Sequence, residues 1–276
     1  MERRHMTAVS VRSTAPGQID LTRPSCARLY DYYLGGSHNF AIDREYGRRA
    51  IAQWPLLPAM VRANRDFLRR AVRCAVRNGI RQFLDIGSGI PTAGNVHEVA
   101  RRADPGARVV YVDIDPVAVA HSRAMLAGCA GVTVLQADLR DTQTILRDSE
   151  VRRVIDFSRP VALLTLGVLH QIPDADDPRG LLREYHDALA PGSLLAISHG
   201  ADDIEPERAF AHQSLYAGFG TPLWFRGRSQ VLDLFGDFEV LEPGVVPLPE
   251  WRPDSFEVDA LDPHRMSVYG GMGRKG

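Results

Sequence analysis

The chain has 276 residues, 45% hydrophobic and 24% charged, a composition that suits a folded globular protein of one or two domains and excludes a predominantly disordered chain. Its 33 basic and 34 acidic residues leave a net charge of -1, so no electrostatic case arises for nucleic acid or an acidic membrane as the main partner. All basic residues but Lys275 are arginine, a bias better explained by codon usage than by anion binding. Cys26, Cys74 and Cys129 are odd in number and lack CxxC spacing, which argues against a disulfide framework or a zinc site. No apolar stretch follows the early arginines, and the longest near-apolar run, Val161–Leu169, is too short to span a membrane; the expectation is a soluble cytoplasmic protein without a signal peptide.

Residues 1–19 are polar and are expected to be irregular; 20–80 read as an N-terminal helical segment and 81–276 as the core. Phe67, Leu68, Ala71, Val72, Ala75 and Val76 form a helical stripe over Asp66–Val76, stopped by Asn78-Gly79. Apolar strands follow at Gln82–Ile86, Arg108–Asp113, Thr133–Ala137, Val161–Leu166 and Ser193–Ser198. Helices between them are expected at Thr92–Ala103, from Asp115-Pro116 onward, and at Asp177–Leu189. Strands apolar on both faces and alternating with helices argue a parallel sheet covered on both sides. Beyond Glu205 the rhythm changes: helices at Glu205–Ala217 and Ser229–Leu234, a strand at Phe238–Leu241, a proline loop at Pro243–Pro253 and a last strand at Met266–Tyr269 before a glycine-rich tail. The last two strands are expected as an antiparallel pair added to the parallel sheet.

Ligands of open parallel sheets bind beyond the carboxyl ends of the strands. The first strand ends Asp85-Ile86-Gly87-Ser88-Gly89, where small residues let a ligand approach the backbone, although GxG after a strand is also a common tight turn. Asp113 ends the second strand and can accept both hydroxyls of a ribose, while Asp115 reads as a helix cap. Asp138 ends the third and suits an adenine amino group, or merely a turn. Thr92 stands where a dinucleotide site would carry its third glycine, and GxxxxGK[ST] is absent, so NAD and a phosphate-binding loop are both disfavoured. A ligand with ribose and adenine but no phosphate, S-adenosylmethionine, fits these strand ends better.

Leu84–Gly89, Val112–Pro116 and Gln136–Asp141 resemble the motifs of class I S-adenosylmethionine-dependent methyltransferases. The segment Ala27–Gly36 with Asn39-Phe40 and Asp43-Arg44 more narrowly resembles the signature of an actinobacterial S-adenosyl methyltransferase family, formerly a domain of unknown function. Ala63-Asn64-Arg65, Phe83–Thr92, His97-Glu98-Val99 and Val168–Asp174 match as well, so the likeness covers residues 20–271. It implies a Rossmann-like three-layer α/β sandwich with a seven-stranded, mostly parallel sheet of order 3-2-1-4-5-7-6 and an N-terminal helical extension. It also implies a cofactor set of Asp85, Gly87, Ser88, Gly89, Asp113, Ile114, Asp138 and Leu139. Within that set, Gly87 and Gly89 line the methionine part, Asp113 the ribose and Asp138 the adenine. Pro91 departs from the class, many members of which carry a third glycine there.

Methyl transfer needs alignment of the acceptor and, for some acceptors, a base. His170 and His199, at the fourth and fifth strand ends, are the base candidates; each has a structural alternative, as does the weaker Asp174. Arg28, Tyr30, Tyr33, Asn39 and Phe40 form a candidate lid over the cofactor and substrate, or else a helix filling a groove with core aromatics. Trp224-Phe225-Arg226 and Trp251 either shape an acceptor pocket or pack on the sheet. The leading expectation is a methyltransferase acting on a small molecule, using no metal and no nucleic acid. The alternatives are a non-catalytic cofactor-binding regulator and, behind it, an NAD-dependent oxidoreductase.

Overall fold

The computed structural model describes residues 22–91, 94–254 and 265–276; the expected irregular N-terminus 1–19 and the expected helix start at Thr92 lie outside them. Three helices come first: α1 (Cys26–Tyr33), α2 (Ala41–Gln53) and α3 (Leu57–Arg77). The apolar stripe read from Asp66 onward is the second half of α3, which starts nine residues earlier with a proline in its first turn. The core then alternates β1 (Gln82–Ile86), α4 (Val96–Ala103), β2 (Arg108–Asp113), α5 (Pro116–Met125) and β3 (Val132–Gln136). Two short helices, α6 (Thr142–Arg147) and α7 (Ser149–Val154), each capped by an aspartate, lead to β4 (Ala162–Leu166), α8 (Pro178–Ala188) and β5 (Leu194–Gly200). Helices α9 (Pro206–Gly218) and α10 (Arg228–Asp233) precede β6 (Glu239–Val240), β7 (Val246–Pro247) and β8 (Val268–Arg274).

The sheet runs β3-β2-β1-β4-β5-β8-β6, with β8 antiparallel to β5 and β6 and the first five strands parallel. This is the expected order, with an eighth strand added: two residues of the proline loop, β7, pair with β8 off the main path. Side chains alternate across the strands. Leu84, Ile86, Val110, Val112, Leu163 and Ile197 face α6, α7, α8 and α10. Phe83, Val109, Tyr111, Leu164 and Ala196 face α3 and α4. The same period of two carries the polar strand-end residues Asp85, Asp113 and Ser198 to the α3 side.

The glycine-rich end, expected as a tail, is the buried strand β8. Its glycines make room for the helix layer: a Cβ on Gly270 would sit 2.5 Å from Leu248 Cδ2, and one on Gly273 would sit 2.8 Å from Phe238 Cβ and 2.9 Å from Phe235 Cδ1. Just beyond β8, Lys275 Nζ donates to the carbonyls of His186 and Leu189, 2.7 Å each, and so closes the C-terminal end of α8. Helices α1, α2, the start of α3 and α9 share a further apolar cluster built on Leu29, Tyr33, Trp54, Met60 and Tyr216. Among the described residues no helix is long and apolar enough to cross a membrane.

Gly273→Val is expected to cost about 1–3 kcal/mol by overpacking against Phe235 and Phe238, read as a lower midpoint in urea unfolding with an unchanged slope.

Candidate cofactor and active site

Strand β1 ends at Gly87, which has a positive φ of 72° and whose Cβ, if it had one, would stand 2.4 Å from Val168 Cγ2; the position admits glycine alone. The chain turns there because the amides of Gly87 and Ser88 both donate to Val112 O, at 2.8 and 3.1 Å, which fixes the loop against the end of β2. Gly89, at φ 66°, has nothing within 4 Å of where a Cβ would stand, so the backbone is open to a ligand on that side.

Asp113 lies beneath this loop. Its Oδ2 accepts from Gly89 N at 2.7 Å and its Oδ1 from Asp115 N at 2.8 Å. Burial pushes its carboxyl up to about 6, against the pull of those two amides. Asp115 caps α5, as its place before Pro116 implied, with Oδ1 accepting from Val117 N and Ala118 N. Between the two aspartates Ile114 is 59% exposed, an apolar surface at the rim of the site. Asp85 is buried on the same sheet face; desolvation pushes its carboxyl up to about 7, with Arg65 opposing and Asp113 adding to the rise. Ser88 Oγ is buried without a hydrogen-bond partner. Gly87, Ser88, Gly89, Asp85, Asp113 and Ile114 therefore come together at one strand-end cradle.

Asp138 and Leu139 stand at the next strand end. The Asp138 carboxylate is held by Arg140 Nε at 3.0 Å, and Arg140 Nη1 reaches Asp176 at 2.9 Å. Partial burial works to raise the Asp138 carboxyl, but the Arg140 hydrogen bonds outweigh it and leave it below the usual range. Leu139 O accepts from Tyr185 Oη at 3.0 Å.

The two candidate bases lie together, His170 just beyond β4 and His199 near the end of β5, with ring centroids 5.6 Å apart. His199 is fully buried: Nδ1 is 2.8 Å from Gly200 O and Nε2 is 2.9 Å from Arg226 Nη1. Because arginine only donates, Nε2 accepts and Nδ1 carries the proton, so both nitrogens are engaged. His170 Nδ1 receives a long 3.5 Å contact from Gly200 N, and burial, with His212 and Arg226 adding, pushes its imidazole down to about 4. Arg226 organises this corner from below. It is 3% exposed and donates to His199, to Leu169 O and Ile172 O, and to Asp174 at 2.6 Å. Trp251 is buried against Phe67, with centroids 5.1 Å apart, on the α3 side of the sheet.

The N-terminal helices pack over the same strand ends. Ser25 Oγ donates to Asp115, and Arg28 Nε pairs with Asp43 at 2.8 Å while its Nη1 stands 3.7 Å from Asp115. Arg28 also lies over the Phe40 ring, 5.1 Å from its centroid, so its charge is committed to protein partners. Ala27 and Phe40 touch Ile90, Val117 and Ala118 beside the glycine loop. Tyr33 Oη meets Tyr216 Oη at 2.6 Å, Tyr30 Oη accepts from Asn64 Nδ2 at 2.9 Å, and Asn39 Nδ2 donates to buried Asp31 at 2.7 Å. Asn64 also accepts from Ser198 Oγ at 2.6 Å, joining α1, α3 and β5. Neither this use of Asn64 nor that of Arg226 follows from periodicity, since both act through partners distant in sequence.

A mostly parallel sheet with its β8 hairpin-like insertion, and a glycine loop bound to an aspartate one strand away, define a class I S-adenosylmethionine-dependent methyltransferase. The model of the S-adenosyl methyltransferase family matches residues 12–276, and the chain belongs to that family. It is 42% identical to a methyltransferase candidate from Thermobifida fusca, with 93% of this chain and 96% of that one covered and a TM-score of 0.88. It is 37% identical to a DUF574 family protein from Streptomyces avermitilis, covering 92% of this chain and 98% of that one, again with a TM-score of 0.88. No curated protein matches. The residues present fit the cofactor: a buried hydroxyl without a partner at Ser88, open space at Gly89 and an oriented acid at Asp113.

Asp85→Asn tests the electrostatics of the cradle. A carboxyl whose folded value is raised binds its proton more tightly folded than unfolded, so its contribution is present at low pH and lost as pH rises through about 7. The variant is expected to be more stable than the parent at pH 8, by up to about 4 kcal/mol, and equal to it below pH 4, as read by thermal unfolding.

Proposed function

We propose that the protein methylates a small-molecule acceptor by alignment, with no strong protein base. The observation that carries the donor half is the Asp113–Gly89 hydrogen bond, which leaves the acid's other lone pairs for ribose hydroxyls. Gly87, Ser88 and Gly89 take the amino-acid end, Ile114 covers the adenine face, and Asp138 with Leu139 forms its edge, Asp138 sharing itself between Arg140 and the adenine amino group. Bound S-adenosylmethionine supplies a methyl carbon on a positively charged sulfur. The chain supplies position. His170 is neutral at pH 7 and both nitrogens of His199 are engaged, so His170 serves as a hydrogen-bonding contact and His199 as a positioning residue. This suits an acceptor that brings its own free lone pair: an amine, a thiolate or an acidic hydroxyl. Tyr30, Tyr33, Asn39 and Phe40 hold the N-terminal segment over the site as a lid, and Ser25 and Arg28 tie it to Asp115.

The near-zero net charge supports a small acceptor over a nucleic acid. The unpaired thiols of Cys26, Cys74 and Cys129 suit the cytoplasm.

Asp113→Ala is expected to weaken binding of S-adenosylhomocysteine by roughly 10- to 100-fold in calorimetric titration, the loss of hydrogen bonds to a charged group. Methyl-labelled S-adenosylmethionine given to the wild-type protein with a size-fractionated cell extract should label the small-molecule fraction. Label in protein or nucleic acid would overturn the acceptor reading. His170→Gln should keep activity within about tenfold of wild type, where removal of a working general base costs about 100-fold or more.

A further inference from the structure

We propose that Arg65 is the anchor for the carboxylate of the cofactor's methionine part. This deepens the donor reading and rests on it. Arg65 lies on α3, on the sheet face that Asp85 and Asp113 share, and its Nη2 donates to Gly94 O at 3.1 Å and to Asn95 Oδ1 at 3.4 Å. It therefore touches the residues that open α4. Asp113 and Ile114 mark the adenosine end of the cradle, so the methionine part extends from there along the loop toward Arg65.

The guanidinium is half-satisfied. Its Nε is buried and has no hydrogen-bond partner among the described residues. A buried N–H left unpaired is unfavourable, and a carboxylate oxygen is a charge-assisted acceptor that would satisfy it. The space of about 410 Å³ between the Leu34–Gly36 turn and α3 is lined by Arg62, Arg65 and Arg69, which recur on one face of that helix. Arg69 is paired with Asp66, and Arg62 is exposed to solvent. Of the three, Arg65 is the one whose Nε is both buried and unpaired.

The charge arrangement suits an amino acid. Asp85, a buried carboxylate feeling the field of Arg65, offers the counterpart for the ammonium while Arg65 takes the carboxylate. Ser88 Oγ, buried and also without a partner, lies on the loop that follows β1. Two orphaned polar groups and one buried acid thus border the stretch of loop that a zwitterion would cover.

Two probes test this by calorimetry: S-adenosylhomocysteine and its decarboxylated analogue, which lacks only the carboxylate. Wild-type protein is expected to bind the first at least about tenfold tighter. Arg65→Met should bring S-adenosylhomocysteine down to the level of the analogue and leave the analogue's own affinity within about threefold of wild type. Arg65→Lys, which keeps the charge and loses the fork, should fall between. Equal affinity of wild-type protein for the two probes overturns the proposal and leaves the donor reading standing; that comparison needs no variant. So does an Arg65→Met protein of unchanged melting temperature that still prefers the carboxylate. Wild-type protein that binds neither probe overturns the donor reading and the proposal together.

Discussion

The site depends on one hydrogen bond. Asp113 Oδ2 accepts from Gly89 N, and the carbonyl of Val112 accepts from Gly87 N and Ser88 N. Together these join the ends of β1 and β2, the two strands whose parallel pairing runs Gln82 opposite Arg108 through Ile86 opposite Val112. Shift that register by one residue and Asp113 would point to the α8 side, with Val112 in its place. The glycine at 87 is demanded by the same closure, since Val168 leaves no room for a side chain. Sheet register, turn chemistry and ligand chemistry are here one constraint.

A second constraint comes from the N-terminal helices. Their docking on Asp115 places an arginine, two aspartates and a serine in a region where Arg28 is 4% and Asp43 0% exposed. A buried ion pair of this kind adds little net stability against an apolar alternative, yet losing one member costs about 3–5 kcal/mol because the other charge is stranded. The interaction thus specifies where the segment sits more than how strongly it holds. Asp115 is at once the cap of α5 and the docking point, so the segment is tied to the helix that follows β2.

How much of this could be read from the residues depended on range. The parallel strands and the strand-end acids were legible because short-range patterns encode them: apolar runs of five or six residues, a glycine turn, an aspartate before a proline; the sheet order came from the family resemblance. The glycine-rich end was misread as a tail because glycine signals flexibility locally, while Gly270 and Gly273 are set by Phe67, Phe235, Phe238 and Leu248 far along the chain. The two-residue β7 has no pattern of its own and exists only as an edge to β8. His199 looked like a free base at a strand end, but its partner Arg226 lies 27 residues on. Asn64 and Arg65 fell just before the stripe read from Asp66, in the half of α3 that the apolar pattern did not mark, and the period of two that turns Asp85 and Ser198 toward them emerges only once helix and sheet are packed.

The arginine bias has a consequence for surface chemistry. Lys275 provides the only side-chain amine in the sequence, and both of its hydrogen bonds go to the carbonyls that end α8. Acylation of that amine removes the charge and the bonds that close the helix, so the one lysine open to modification is also a structural clasp. Amine-directed coupling to a side chain in this sequence would therefore act on this clasp. Guanidinium groups elsewhere keep their charge at any accessible pH, which leaves the electrostatic surface insensitive to reagents and enzymes that read lysine.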